Sequence, residues 1–375
     1  MAYVFTPGLK VTERTVVKKL RRLPIQGEVL VKKGDYVSDR TVVARTELPG
    51  KVFPINVAAA LGVSPSEISK YMLLREGEEC KREQVIAQTK GFLGYFRNEA
   101  TSPIDGFLES ISRVSGQVML RELPVKVMVD AYIEGVVEEV IAGEGVIIRT
   151  NATFIQGIFG LGGEVKGEIK LVVNNPNEPL SADKIDSTCR DKIVVGGSRV
   201  EFEAYRRAAE LGVKGIVSGG FNFADIPRVL GYELGVAVTG NEEIPTTLII
   251  TEGFGEVAMA KQTFDLLSKN TGKRASMNGA TQIRAGVQRP EVVIPLPPET
   301  DVYFSGDLNG KGIEVGSRIR AIRHPYFGKL GFVRSLPPEL IDIDTETKVR
   351  VLEAEFDDGV TAVVPRANIE AIETE

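Results

Sequence analysis

The sequence predicts a multidomain α+β chain: a strand-rich β domain over 1–180, a central α/β domain with parallel strands over 181–300, and a C-terminal β-barrel over 313–375. Three observations carry that reading. Apolar and polar residues alternate at period two near both ends. Between about 183 and 300, short apolar runs alternate with helical stretches. A proline-rich connector, Pro295-Leu296-Pro297-Pro298, precedes the last strands. A chain of 375 residues exceeds one typical domain and can fold without disulfides or metals.

The first domain repeats one pattern, alternating residues around a glycine turn, at Gly27–Val37, Leu73–Cys80 and Ser102–Ile111. Gly34-Asp35 and Gly77-Glu78 sit where tight turns need positive φ. A helix is expected over 64–72, with Ser64 as N-cap, Pro65 at N1 and Glu67 at N3. Residues 132–149 read as a hairpin or a further degenerate unit, and Phe154–Glu164 as a glycine-rich loop that either packs between domains or cradles an anion.

The run Val29-x-Val31-x-x-Gly34-Asp35-x-Val37, with Ser102-Pro103-Ile104-Asp105-Gly106-x-Leu108-x-x-Ile111 and Gly116-Gln117-Val118, resembles the two halves of a biotinyl/lipoyl-type barrel-sandwich hybrid. A similar fold occurs in RnfC-like proteins. The resemblance implies a β platform that carries or positions something. A carrier needs an exposed lysine at a tight hairpin tip, and the nearest are Lys51 and Lys90. Neither stands in a Met-Lys-Met or Asp-Lys-Ala setting, and Gly91–Ala100 makes too long a connection, so no covalent cofactor is expected.

In the middle, strands at 192–197, 215–220 and 246–251 alternate with helices at 200–211, 224–230 and 257–269, the last ending near Gly272. Such alternation implies parallel pairing by right-handed crossovers, with ligands gathering at the carboxyl ends of the strands. The candidate anion site is therefore Gly196, Gly197, Ser198, Ser218, Gly219, Gly220, Asn222, Thr251 and Glu252. The polar stretch Ser276–Pro290 adds Asn278, Thr281, Gln282, Arg284 and Arg289, or serves to bond domains together. Were the cleft catalytic, Glu252 or Asp225 would be the base, with Arg284 or Arg289 on the anion.

Residues 316–333 resemble a KOW motif, the hairpin core of an SH3-like barrel, closed by 349–356 and 363–370. Such modules bind RNA or protein. Arg318, Arg320, Arg323, Lys329 and Arg334, interleaved with Tyr326 and Phe327, contain no acid between them and form the candidate partner-binding face. The acids from Asp342 to Asp358 balance them, which favours protein over RNA.

Composition narrows the chemistry further. His324 is the sole histidine, and Cys80 and Cys189 are the only cysteines, so histidine-rich and cysteine-rich zinc sites are excluded and a nucleophile–His–acid triad would need His324 itself. The net charge of −5 argues against a dedicated phosphate-backbone binder. No apolar run reaches about 18 residues, so no membrane is expected. The first residues lack the pattern of a signal peptide, and sparse cysteine fits a reducing, cytoplasmic compartment. These readings favour a non-catalytic cytoplasmic adaptor that docks a protein partner through its β modules and holds a small anionic ligand centrally. Two alternatives stay open: an α/β-cleft enzyme or metabolite-binding protein for a phosphorylated or carboxylate ligand, and an RNA- or ribosome-associated KOW factor.

Overall fold

The computed structural model describes residues 9–90, 97–233, 239–240, 242–282, 288–297, 314–321, 325–326, 329–337, 340–342 and 348–371. The chain opens with β1 (Val11–Arg22), β2 (Glu28–Val29), β3 (Tyr36–Val37) and β4 (Val42–Leu48). It then builds a second unit from β5 (Val52–Asn56), α1 (Val57–Leu61), β6 (Glu79–Cys80), β7 (Val85–Gln88), β8 (Glu99–Thr101), β9 (Gly106–Ile111) and β10 (Gln117–Glu122). The first unit resumes with β11 (Val125–Asp130), β12 (Gly135–Ile141) and β13 (Gly145–Gln156).

The second unit is a copy of the first, inserted into it. Strands run β1-β13-β12-β3 in the outer unit and β5-β10-β9-β6 in the inserted one. The outer sheet β11-β4-β2 recurs as β8-β7, where the bridge Met72↔Ala87 stands for Val29↔Ala44. Registers agree pair by pair: Val37↔Gly135 with Cys80↔Gly106, and Val137↔Ile148 with Leu108↔Leu120. Both long hairpins skip one glutamate, Glu138 and Glu109, at the same place. Residues 29–44 thus correspond to 72–87, and 131–140 to 102–111.

The turn after the first apolar run is shared as well. In Lys32–Asp35, Asp35 N–H donates to Lys32 C=O at 3.1 Å while its carboxylate accepts from Lys32 N–H at 2.8 Å. In Arg75–Glu78 the same two bonds are 3.0 Å each. Gly34 and Gly77 hold the third position at φ +92° and +89°, as the sequence requires. The inserted unit uses this turn again at Lys81–Gln84, with Glu83 in the glycine's place at φ +66°. A side chain there costs about 1 kcal/mol. Replacing Glu83 by glycine, after the entropy glycine adds to the unfolded chain, is expected to stabilise the inserted unit by about 0.5 kcal/mol, read as a higher urea midpoint.

The expected pairing of Val29–Val37 with Ser102–Val118 is therefore corrected. Val37 packs with Ile133, Val137 and Ile148 in one core, while Cys80, Ile104, Leu108, Val118 and Leu120 build another. Period two fixes which face a residue takes, but leaves open which strand it meets. Lys51 and Lys90 are both exposed and follow β4 and β7, the corresponding strands of the two copies. The helix expected over 64–72 is a 3-10 turn, Pro65–Lys70, without a side-chain cap from Ser64. Ile68 is its one buried residue, too little apolar surface to hold a longer helix.

The large sheet continues through β14 (Phe159–Leu161), β15 (Glu164–Leu171), β16 (Lys192–Val195), β17 (Arg199–Val200), β18 (Gly215–Phe221), β19 (Thr247–Phe254), β20 (Arg274–Asn278) and β21 (Glu291–Pro295). Its order is β14-β19-β18-β16-β15-β20-β21-β13-β12-β3. The boundary placed at 180 thus cuts one sheet, because β13 pairs β12 through its first half and β21 through its second. The expected parallel pairing is present: β15, β16, β18 and β19 are parallel neighbours. α2 (Phe202–Leu211) and α3 (Ile226–Leu230) contribute to one core, α4 (Lys261–Lys269) to another. α2 ends at Gly212 in the left-handed conformation, as expected, whereas α4 starts later than expected and is capped by Asn270.

The C-terminal strands are β22 (Arg318–Ala321), β23 (Leu330–Ser335), β24 (Leu340–Asp342), β25 (Lys348–Phe356), β26 (Thr361–Pro365) and β27 (Ile369–Ala371). They pair antiparallel around Ile319, Val333, Leu352, Ala354, Phe356 and Ile369. No helix among the described residues is long and apolar enough to cross a membrane.

Candidate functional site

The carboxyl edge of β16, β18 and β19 brings together Gly196–Ser198, Ser218–Gly220, Thr251 and Glu252, as the sequence predicts. The chain itself fills the space. A Cβ on Gly219 would lie 2.2 Å from the Val257 carbonyl oxygen, one on Gly220 2.3 Å from that of Gly255, and one on Gly197 2.3 Å from that of Glu178. These glycines admit close backbone approach, and backbone occupies the positions their side chains would take. The strand order supplies the reason: β15, β16, β18 and β19 follow one another without reversal, so these parallel strands lack the topological switch that opens a crevice.

The hydroxyls on this edge bond inward. Ser218 donates to Gly197 C=O at 3.2 Å and Thr251 to Ser218 C=O at 3.3 Å. Asn222 accepts from Ala224 N–H at 3.2 Å, capping the turn before α3. The buried Ser198 hydroxyl finds no partner among the described residues.

Glu252 is no base. Its Oε1 accepts from Ala260 N–H at 3.0 Å, and its Oε2 lies 2.5 Å from Arg320 Nη2, with side chains 3% and 5% exposed. Arg320 Nη1 also donates to Thr251 C=O at 3.0 Å. Arg320 is thereby removed from the predicted solvent-facing surface and joins the C-terminal sheet to the edge of the central one. Asp225 is occupied by Arg228 at 2.7 Å. Nothing in the sequence signals the Arg320–Glu252 pair, since its members stand 68 residues apart.

The glycine-rich loop and the polar stretch after Ser276 do converge. Gly160 N–H donates to Thr281 Oγ1 at 2.9 Å, and Asn278 accepts from Ala280 N–H at 2.9 Å. Gly162 and Gly240 N–H both donate to Glu242 Oε2, at 2.9 and 2.7 Å, so the anion in this cradle is the chain's own carboxylate. Gln282 and Gln288 exchange backbone hydrogen bonds of 2.9 and 2.8 Å. Arg289 is half-buried, and Arg284 lies outside the described residues.

On the C-terminal sheet, the predicted cations among the described residues are paired. Arg318 grips Asp357 through both Nη atoms at 2.6 and 2.5 Å and lies over the Phe332 ring. Lys329 meets Asp358 at 2.5 Å, and Arg334 pairs with Glu355. Tyr326 stacks on Phe356 with centroids 5.1 Å apart. Arg323, Phe327 and His324 lie outside the described residues. Lys329 holds the Asp358 carboxyl below its ordinary range.

A cavity of about 360 Å³ separates Tyr36, Asp39 and Glu134 of the outer unit from Lys273–Ser276 and Pro295–Pro297. Asp39 binds Arg274 Nε at 2.7 Å across it. Tyr36 donates to Glu134 at 2.5 Å, and burial, then this carboxylate, push its hydroxyl up to about 12. Nearby, the buried Tyr132 donates to Glu291 at 3.3 Å, and Arg21 grips Glu164 at 2.6 and 2.8 Å. Burial and the Glu291 and Glu164 carboxylates raise Tyr132 well above the usual tyrosine range. These bonds tie the outer unit to the central sheet. No group of three or more His, Cys, Asp or Glu among the described residues could hold a metal ion. No protein-family model matches the chain, and no curated protein does either.

Proposed function

We propose that this chain is a non-catalytic cytoplasmic adaptor that docks a protein partner through its β modules, two nested barrel-sandwich hybrids and a C-terminal SH3-like barrel. One observation supports this above the others. The side chains that chemistry would need at the α/β edge are engaged internally, Glu252 by Arg320 and by Ala260 N–H, and the glycines beside them are filled by backbone. The inserted unit, by contrast, has a core of its own and leaves large apolar residues such as Leu73 and Val114 exposed. RNA is disfavoured, because the cations that would grip phosphate are neutralised by Asp357, Asp358 and Glu355.

Affinity capture of the tagged chain from its native host, with and without nuclease, tests the reading. The expected result is a stoichiometric protein partner retained after nuclease treatment. A chain that elutes alone, or whose companions leave with nuclease, overturns it.

A further inference from the structure

In the outer unit one face is occupied. Asp39 accepts from Arg274, and the Tyr132 carbonyl accepts from the Ser276 hydroxyl, so β20 lies along the turn after β3 and the segment before β12. The corresponding positions in the inserted unit are Arg82 for Asp39 and Pro103 for Tyr132, flanked by Glu79 for Tyr36 and Asp105 for Glu134. All four are exposed. The Arg82 guanidinium makes no hydrogen bond or ion pair among the described residues; only its backbone N–H is engaged, by Asp105 at 3.0 Å. β6, beside this face, pairs with β9 alone and so leaves an edge at which an extended segment can lie.

We propose that this face of the inserted unit docks an extended segment of a protein partner that sets a carboxylate against Arg82, as the outer unit sets Asp39 against Arg274. The charge is reversed between the copies, so the occupant cannot be a second copy's β20, whose Arg274 would meet Arg82. A nucleic acid is disfavoured by the same surface, since the exposed acids Glu79, Glu83 and Asp105 outnumber the exposed cations Lys81 and Arg82 there. A single carboxylate on a peptide fits. This inference rests on the adaptor reading and narrows it to one face.

The test places a photo-crosslinking aromatic side chain at Glu79, the position of Tyr36 in the other copy, in the full chain in its native host. The expected product is one crosslinked protein, joined within a few residues of an Asp or Glu. Arg82→Asp, with an unchanged melting temperature, should cut its yield by about tenfold or more, and reversing the mapped carboxylate to lysine should restore it. Crosslinking indifferent to Arg82→Asp overturns the proposal. If affinity capture retains a partner and position 79 crosslinks to nothing, the adaptor reading stands and this face is wrong. If neither yields a protein, both fall.

Discussion

Replacing Arg320 by alanine is expected to destabilise the docked C-terminal sheet by about 3–5 kcal/mol, the cost of leaving a buried charge without its partner. Glu252 would keep its bond from Ala260 N–H but lose the guanidinium 2.5 Å away, and Thr251 C=O would lose its donor. The C-terminal sheet has its own core around Ile319, Leu352 and Phe356, so it should detach before it unfolds. The readout is an early denaturation step, with protease cleavage between the two sheets, in a chain whose central sheet still melts late. The double replacement Arg320→Met with Glu252→Met removes both charges and should recover most of the loss. It should still fall short of the natural chain by about 1–3 kcal/mol, because Ala260 N–H and Thr251 C=O then lack partners. A single variant that melts like the natural chain would show that the C-terminal sheet is held by other contacts.

The pair also marks where sequence reasoning stops. Alternation at Val29, Val31 and Val37 made strands legible, and Gly34 and Gly77 fell at turns that need them. Apolar runs separated by helices announced β16, β18 and β19 and their parallel sense. These signals are local, a few residues of period and punctuation. The nesting of one β unit in another was not legible, because the closing half at 131–140 shares with 102–111 little more than isoleucine, an acid and glycine in a row. The candidate site failed for a related reason. Glycines at strand ends look alike whether they admit a phosphate or the backbone of Gly255 and Val257. The arginine run of β22 and the residues after it reads as a basic patch until β-register sets Arg318 beside Asp357.

Truncating Leu120 to alanine is expected to cost about 2–5 kcal/mol and to loosen the inserted unit alone. Leu120 is fully buried among Ile86, Ile104, Leu108 and Val118, and among the described residues this core has no member outside residues 53–120. Amide exchange at Leu108 and Val118 should therefore accelerate by about 30-fold or more, while that at Val137 and Val146 holds. Ile148, its counterpart, is equally buried, but its core reaches Val293 of β21 and its strand is shared with the central sheet. Ile148→Ala should thus accelerate exchange beyond its own unit, into β21. The asymmetry is the test: a copy built into a sheet transmits a cavity, and a copy hung on the β4–β11 ribbon keeps it. Equal spreading from both truncations would mean that the two units unfold as one body. Confinement of the Leu120 effect would mean that the inserted unit opens independently of the sheet that carries it.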